Sequence, residues 1–172
     1  WADPHRFIAQ VVRPTMNSRS FPYRTVVFDT IDKLQELIVG ESRTANPGNN
    51  YKPWTDAYDN VMTLINAFMR CDGVNLLALT HVARVTNSVT GETEIGPAFR
   101  GQQSDKHMPS NFDFVAYMRS GRLKNGQFAV QADFALPGAI TKRRVKDFPD
   151  FLENPTMGRI WNLAHNTNTN NT

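Results

Sequence analysis

The first half of the chain reads as helices and buried strands, the second half as short strands. Phe7, Ile8, Val11 and Val12 fall on one face of a helix that Asp3 can cap and Pro14 ends. TVVF, Thr25 to Phe28, is a continuous β-forming run, as expected of a strand buried on both faces in a parallel sheet. Ile31, Leu34, Leu37 and Ile38 then recur at helical spacing, and Gly40 is the expected stop. ESRTANPGNNYKP has loop chemistry. Ala57, Val61, Leu64, Ile65 and Phe68 mark one face of a helix from about Thr55 to Cys71, which Asp72-Gly73 breaks. VNLLALTHV follows as a second apolar strand, ending in Thr80 and His81.

Strand, helix, loop, helix, strand is the rhythm of a doubly wound α/β domain with a partly parallel sheet. Beyond His81 the pattern becomes antiparallel. ARVTNSVTGETEIGP predicts a hairpin around Thr90-Gly91. FDFVAYMRS and QFAVQADF are strand-like runs joined by GRLKNG, whose Asn125-Gly126 signals a turn. ITKRRV reads as a basic strand or strand edge, and NPTMGRIWNLAH as a final helix. The polar end, residues 166–172, cannot bury apolar surface and is expected to be disordered.

Composition narrows this only slightly. A chain of 172 residues supports one sizeable core, so residues 1–165 are expected to form a single domain. The net charge of +3 is too mild to argue for a nucleic-acid partner by itself. The single cysteine, Cys71, excludes an internal disulfide and makes the cytoplasm the expected compartment. No apolar run reaches the length of a membrane span, so no membrane partner is expected. The first residue is Trp rather than Met, and processing or an upstream segment is the expectation.

Candidate chemistry sits at the strand ends. In open parallel α/β sheets, ligands bind outside the carboxyl ends of strands, and here those ends are Asp29-Thr30 and Thr80-His81. A carboxylate after a buried strand suits magnesium, which takes hard oxygen ligands and keeps part of its water shell. The same carboxylate could instead cap the next helix through the amides of Ile31 or Asp32, and the six residues TVVFDT leave both readings open. His81 is equally open between a structural hydrogen bond and contact with a terminal phosphate or an attacking water. His5, His81, His107 and His165 have no zinc-like spacing, and no nucleophile elbow is present. A P-loop needs G-x-x-x-x-G-K-[ST]. GETEIGPA has that glycine spacing, but Pro97 and Ala98 stand in place of the Lys and the Ser or Thr.

Taken in order, RTVVFDTIDKL, YDNVMTLINAF, LLALTHV, IGPAFRGQQSDKHMPSNFDFVAYMR and the basic ITKRR ahead of FPDFLENPT resemble a known family. It is the AAA/RecA-like P-loop ATPases of bacteriophages associated with recombination and single-strand annealing. The first segment is similar to the Walker B strand and its helix, the third to the sensor strand, and the last to a K-x-R element. The resemblance implies a RecA-like core, with a partly parallel sheet flanked by helices and a C-terminal antiparallel extension. It implies ATP and Mg2+ as cofactors. Asp29 would hold the metal through water, with Thr30 in support and Thr80 on the nucleotide. His81 would sense the terminal phosphate, and Lys142 and Arg144 would reach a neighbouring subunit's nucleotide. Lys142 and Arg144 also suit an exposed basic edge that discourages sheet pairing, and Arg143 or Lys146 suits a DNA backbone.

In that family the P-loop and the water-polarising glutamate lie upstream of the Walker B strand, which would put both before Trp1. The expectation is therefore the C-terminal part of an ATPase coupling ATP hydrolysis to single-stranded DNA recombination or annealing, inactive alone. Its partners would be single-stranded DNA, further copies of itself and other phage recombination proteins, in the host cytoplasm. The alternative is a non-enzymatic DNA-binding or subunit-interaction module derived from such an ATPase.

Overall fold

A computed structural model describes residues 10–11, 13–14, 23–86, 91–101, 107–122 and 126–166. The expected first helix falls largely outside these residues, as do the turn at Thr90, Asn125 and the tail beyond Asn166. The fold is α/β. The chain divides into two compact units: Trp1–His81 with Ala98–Ser104, and Val82–Pro97 with Asp105–Thr172.

In the first unit, β1 (Thr25–Phe28) and β2 (Asn75–Ala78) pair in parallel, with Phe28 opposite Ala78. Between them run α1 (Ile31–Ala45) and α2 (Lys52–Met69), which pack against each other. Leu64, Ala67 and Phe68 of α2 form the core, against Val26, Phe28, Leu34 and Leu76. Phe28 and Phe68 meet edge to face, ring centres 5.8 Å apart.

Two expectations are corrected here. β1 is covered on one side only: Val26 and Phe28 face the core, while Val27 is 51% exposed. α1 does not stop at Gly40 but runs on to Ala45, so ESRTA is helix rather than loop. The glycine costs about 1 kcal/mol in a helix interior. Burial of Val39 and a short bond from the Ser42 hydroxyl to Asp56 of α2, 2.5 Å, anchor the turns on either side.

The second unit is antiparallel. β3 (Val82–Thr86) and β4 (Thr93–Pro97) form the expected hairpin. GETEIGPA therefore carries a strand, with none of the loop-to-helix geometry that cradles phosphate. β5 (Phe114–Val115) pairs with β8 (Lys142–Arg143), so the basic run is a strand. β6 (Tyr117–Arg122), β7 (Phe128–Asp133) and β9 (Phe151–Glu153) form a three-stranded sheet. α3 (Met157–Asn166) packs onto it through Ile160, Leu163 and Ala164. Phe114, Phe134 and Phe148 cluster at the centre, with ring centres 4.6 to 6.1 Å apart.

Candidate functional site at the strand ends

Parallel pairing of β1 and β2 brings the two polar strand ends together. The amide of Leu79 donates to the Phe28 carbonyl at 2.9 Å, and the amide of Ile31 donates to the Leu79 carbonyl at 2.9 Å. Asp29 and Thr30 thus run beside Leu79, Thr80 and His81. The second of these bonds also decides against the cap reading at Ile31, whose amide is already taken. The N-cap of α1 is Thr30, in an extended conformation and without a side-chain cap bond. Asp29 is exposed, and among the described residues its carboxylate makes no hydrogen bond or ion pair. The Asp29–Thr30 peptide bond is cis.

The residue that organises this end is Asp32, which sequence reasoning passed over. Its carboxylate accepts from the His81 amide at 3.2 Å and meets His81 Nδ1 at 2.8 Å. The Asp32 side chain is 6% exposed and that of His81 62%. Burial pushes the Asp32 carboxyl up, but the bonds from His81, with help from Thr30 and its own amide, outweigh this and hold it below the usual carboxylate range. The Thr30 hydroxyl is enclosed near Asp32 yet makes no hydrogen bond of good geometry. The Thr80 hydroxyl donates to the His81 carbonyl at 3.1 Å.

Asp32 belongs to a stripe that the apolar pattern misplaced. The buried face of α1 comprises Ile31, Asp32, Gln35, Val39 and Ser42, whereas Leu37 is exposed. Its three polar members each hold a different segment: Asp32 the strand end, Gln35 the main chain of Arg100, and Ser42 α2. The available signal was that spacing itself, polar residues at 32, 35 and 42 on one helical face.

Lys142 and Arg144 belong to the second unit, and the four strand-end residues to the first. Lys142 donates to the Ser110 carbonyl at 2.6 Å, and Arg144 pairs with Asp113 at 2.5 Å, both pairs at the surface. Arg143 is held by the Phe148 carbonyl and by Asp150.

A family model described as an AAA domain matches residues 1–145. The chain belongs to the AAA-domain family. No curated protein and no solved structure matches it. The family is ATPase-like and in general binds ATP with Mg2+. Among the described residues of this AAA domain, no group of three His, Cys, Asp or Glu stands ready to hold a metal. Magnesium does not need one, because it commonly takes one or two carboxylates and completes its shell with water and phosphate oxygens. The uncommitted Asp29 carboxylate fits that demand. Among the described residues, no helix is long and apolar enough to cross a membrane.

Proposed function

We propose that the chain is part of the RecA-like core of an ATPase, treated as one AAA-type domain over residues 1–165, whose nucleotide site lies at the carboxyl ends of β1 and β2. The observation that carries this reading is the parallel pairing that puts Asp29-Thr30 beside Thr80-His81, in a chain of the AAA-domain family. Asp29 would hold Mg2+ through water, Thr30 would support it by hydrogen bonding, and Thr80 would contact the nucleotide. His81 would report on the terminal phosphate, while Lys142 and Arg144 would act on the nucleotide of a neighbouring copy. Bound Mg2+ and ATP would supply the phosphoryl group and the charge neutralisation that its transfer requires.

The finer reading is a phage recombination or annealing protein acting on single-stranded DNA in an oligomer in the host cytoplasm, together with other recombination proteins. Its support is the order of RTVVFDTIDKL, LLALTHV and ITKRR along the chain. The test is calorimetric titration with ATP and magnesium, comparing the chain with its Asp29→Ala variant. Binding that depends on magnesium and weakens in the variant supports the site. Binding indifferent to both refutes it.

A second reading rests on one observation, that residues 1–172 contain no G-x-x-x-x-G-K-[ST]. On that reading the chain is a DNA-binding or subunit-interaction module. Single-stranded DNA would then bind without nucleotide and weaken steeply with salt.

A further inference from the structure

The Asp32–His81 contact determines which kind of hydrogen-bonding partner His81 can take. Asp32 is buried and ionised at neutral pH, so its carboxylate is an acceptor only. The short contact at Nδ1 therefore requires a proton on Nδ1. A second bond, from the His81 amide to the other carboxylate oxygen, fixes the main chain of the same residue. The imidazole is thus held at two points from one buried group, although it is itself largely exposed. Its other nitrogen, Nε2, meets no partner among the described residues.

With Nδ1 carrying the proton, Nε2 of the uncharged ring presents a lone pair. Phosphate oxygens at neutral pH are acceptors as well, and two acceptors do not bond. A water molecule satisfies both, donating one proton to Nε2 and the other to a phosphate oxygen.

We propose that Asp32 is the positioning residue for His81, fixing the Nδ1–H tautomer so that His81 reads the terminal phosphate through a water rather than by direct donation. The placement of a phosphate here rests on the nucleotide-site reading above; the tautomer does not. In the uncharged ring Nδ1 keeps its proton and Nε2 is an acceptor.

The test is nitrogen-15 NMR of the histidine rings in the full chain at mildly alkaline pH, with His81→Gln used to assign the signal. His81 should show a protonated Nδ1 and an unprotonated Nε2. Asp32→Asn has one oxygen for two donors; the His81 amide takes it, the side-chain NH2 then faces Nδ1, and the ring should turn to Nε2–H. Asp32→Ala should shift the ring towards Nε2–H. A wild-type ring protonated at Nε2 overturns the assignment, and that measurement needs no variant to fold. An Asp32→Ala protein that folds, as judged by circular dichroism, yet keeps Nδ1–H also overturns it. Failure of ATP and magnesium to bind would instead refute the nucleotide site while leaving the tautomer in place.

Discussion

Gln35 grips the main chain of Arg100 with both ends of its amide. Nε2 donates to the Arg100 carbonyl at 2.8 Å, and the Arg100 amide donates to Oε1 at 2.9 Å. Gln35 is buried, and the residue it holds lies 65 positions further along the chain. Replacing it with Glu keeps the shape but sets a carboxylate oxygen against a carbonyl. The expected loss in stability is about 2–4 kcal/mol, from one lost bond plus a repulsive buried contact. Gln35→Ala should cost less, about 1–2 kcal/mol, because water can reach the exposed Arg100. Urea unfolding of both variants checks the order. An Ala variant less stable than the Glu variant would refute this account.

Asp32 makes stability depend on acid. Its folded carboxyl sits below the ordinary aspartate value, so as pH falls the unfolded chain takes up a proton first. The stability it contributes is therefore complete above the unfolded value of ~3.9 and lost as pH falls through the folded one. Asp32→Asn should be less stable than the parent by about 1–3 kcal/mol at neutral pH. That gap should close progressively in acid. Paired urea titrations from neutral to strongly acidic pH measure it, and a gap constant with pH would contradict the role given to the charge.

Substituting Asp29 should separate ligand binding from folding. The side chain is exposed and unpartnered among the described residues, so Asp29→Ala should leave stability within about 0.5 kcal/mol. If it holds magnesium through water, magnesium-dependent nucleotide affinity should drop roughly tenfold or more. Thermal melts with and without ATP and magnesium report both quantities, and equal ligand-induced shifts in parent and variant would exclude the metal role.

Arg144 offers a similar separation in the other unit. Its pair with Asp113 is exposed on both sides, so Arg144→Ala should change stability by only about 0–1 kcal/mol. A guanidinium acting on a neighbour's nucleotide is worth far more, roughly a thousandfold in turnover. Hydrolysis measured in a preparation that turns over ATP, with parent and variant mixed in varied ratio, would show it. Turnover unaffected by the variant would leave Arg144 as a surface ion pair.

Phe148 is the structural control. It is buried against Phe114 and Phe134, and Phe148→Ala should cost about 3–5 kcal/mol through the cavity it leaves. Denaturation followed by near-ultraviolet circular dichroism should show this loss, and a cost below about 1 kcal/mol would mean the cluster is loosely packed.

What the sequence made legible follows from how each signal arises. Thr25 to Phe28, the helix centred on Val61 and Leu64, and the hairpin on either side of Thr90 all carry local periodicity or turn chemistry, and all are present. Gly40 misled because a propensity of about 1 kcal/mol is smaller than the tertiary anchoring on both sides of it. The buried face of α1 was misplaced because hydrophobic periodicity is blind to Asp32, Gln35 and Ser42. Their burial is permitted by partners far away in sequence: His81, Arg100 and Asp56. The strand-end residues were found because they follow strands directly. Asp32 was not, because nothing local distinguishes a buried, hydrogen-bonded aspartate from a solvated one.

The chain leaves the first unit after His81, re-enters it at Ala98 and departs again after Ser104. The amide of Ala98 donates to the His81 carbonyl at 2.8 Å, so exit and return are tied together. No single cut can therefore free the first unit of residues 82–97: a stop after Ser104 keeps the unit whole but carries that segment along. A fragment ending at His81 would keep both parallel strands and both helices but forfeit Arg100, which Gln35 grips, and the amide that holds His81 in place. Deletion mapping would then make distant residues look essential for chemistry when their absence had only loosened a histidine.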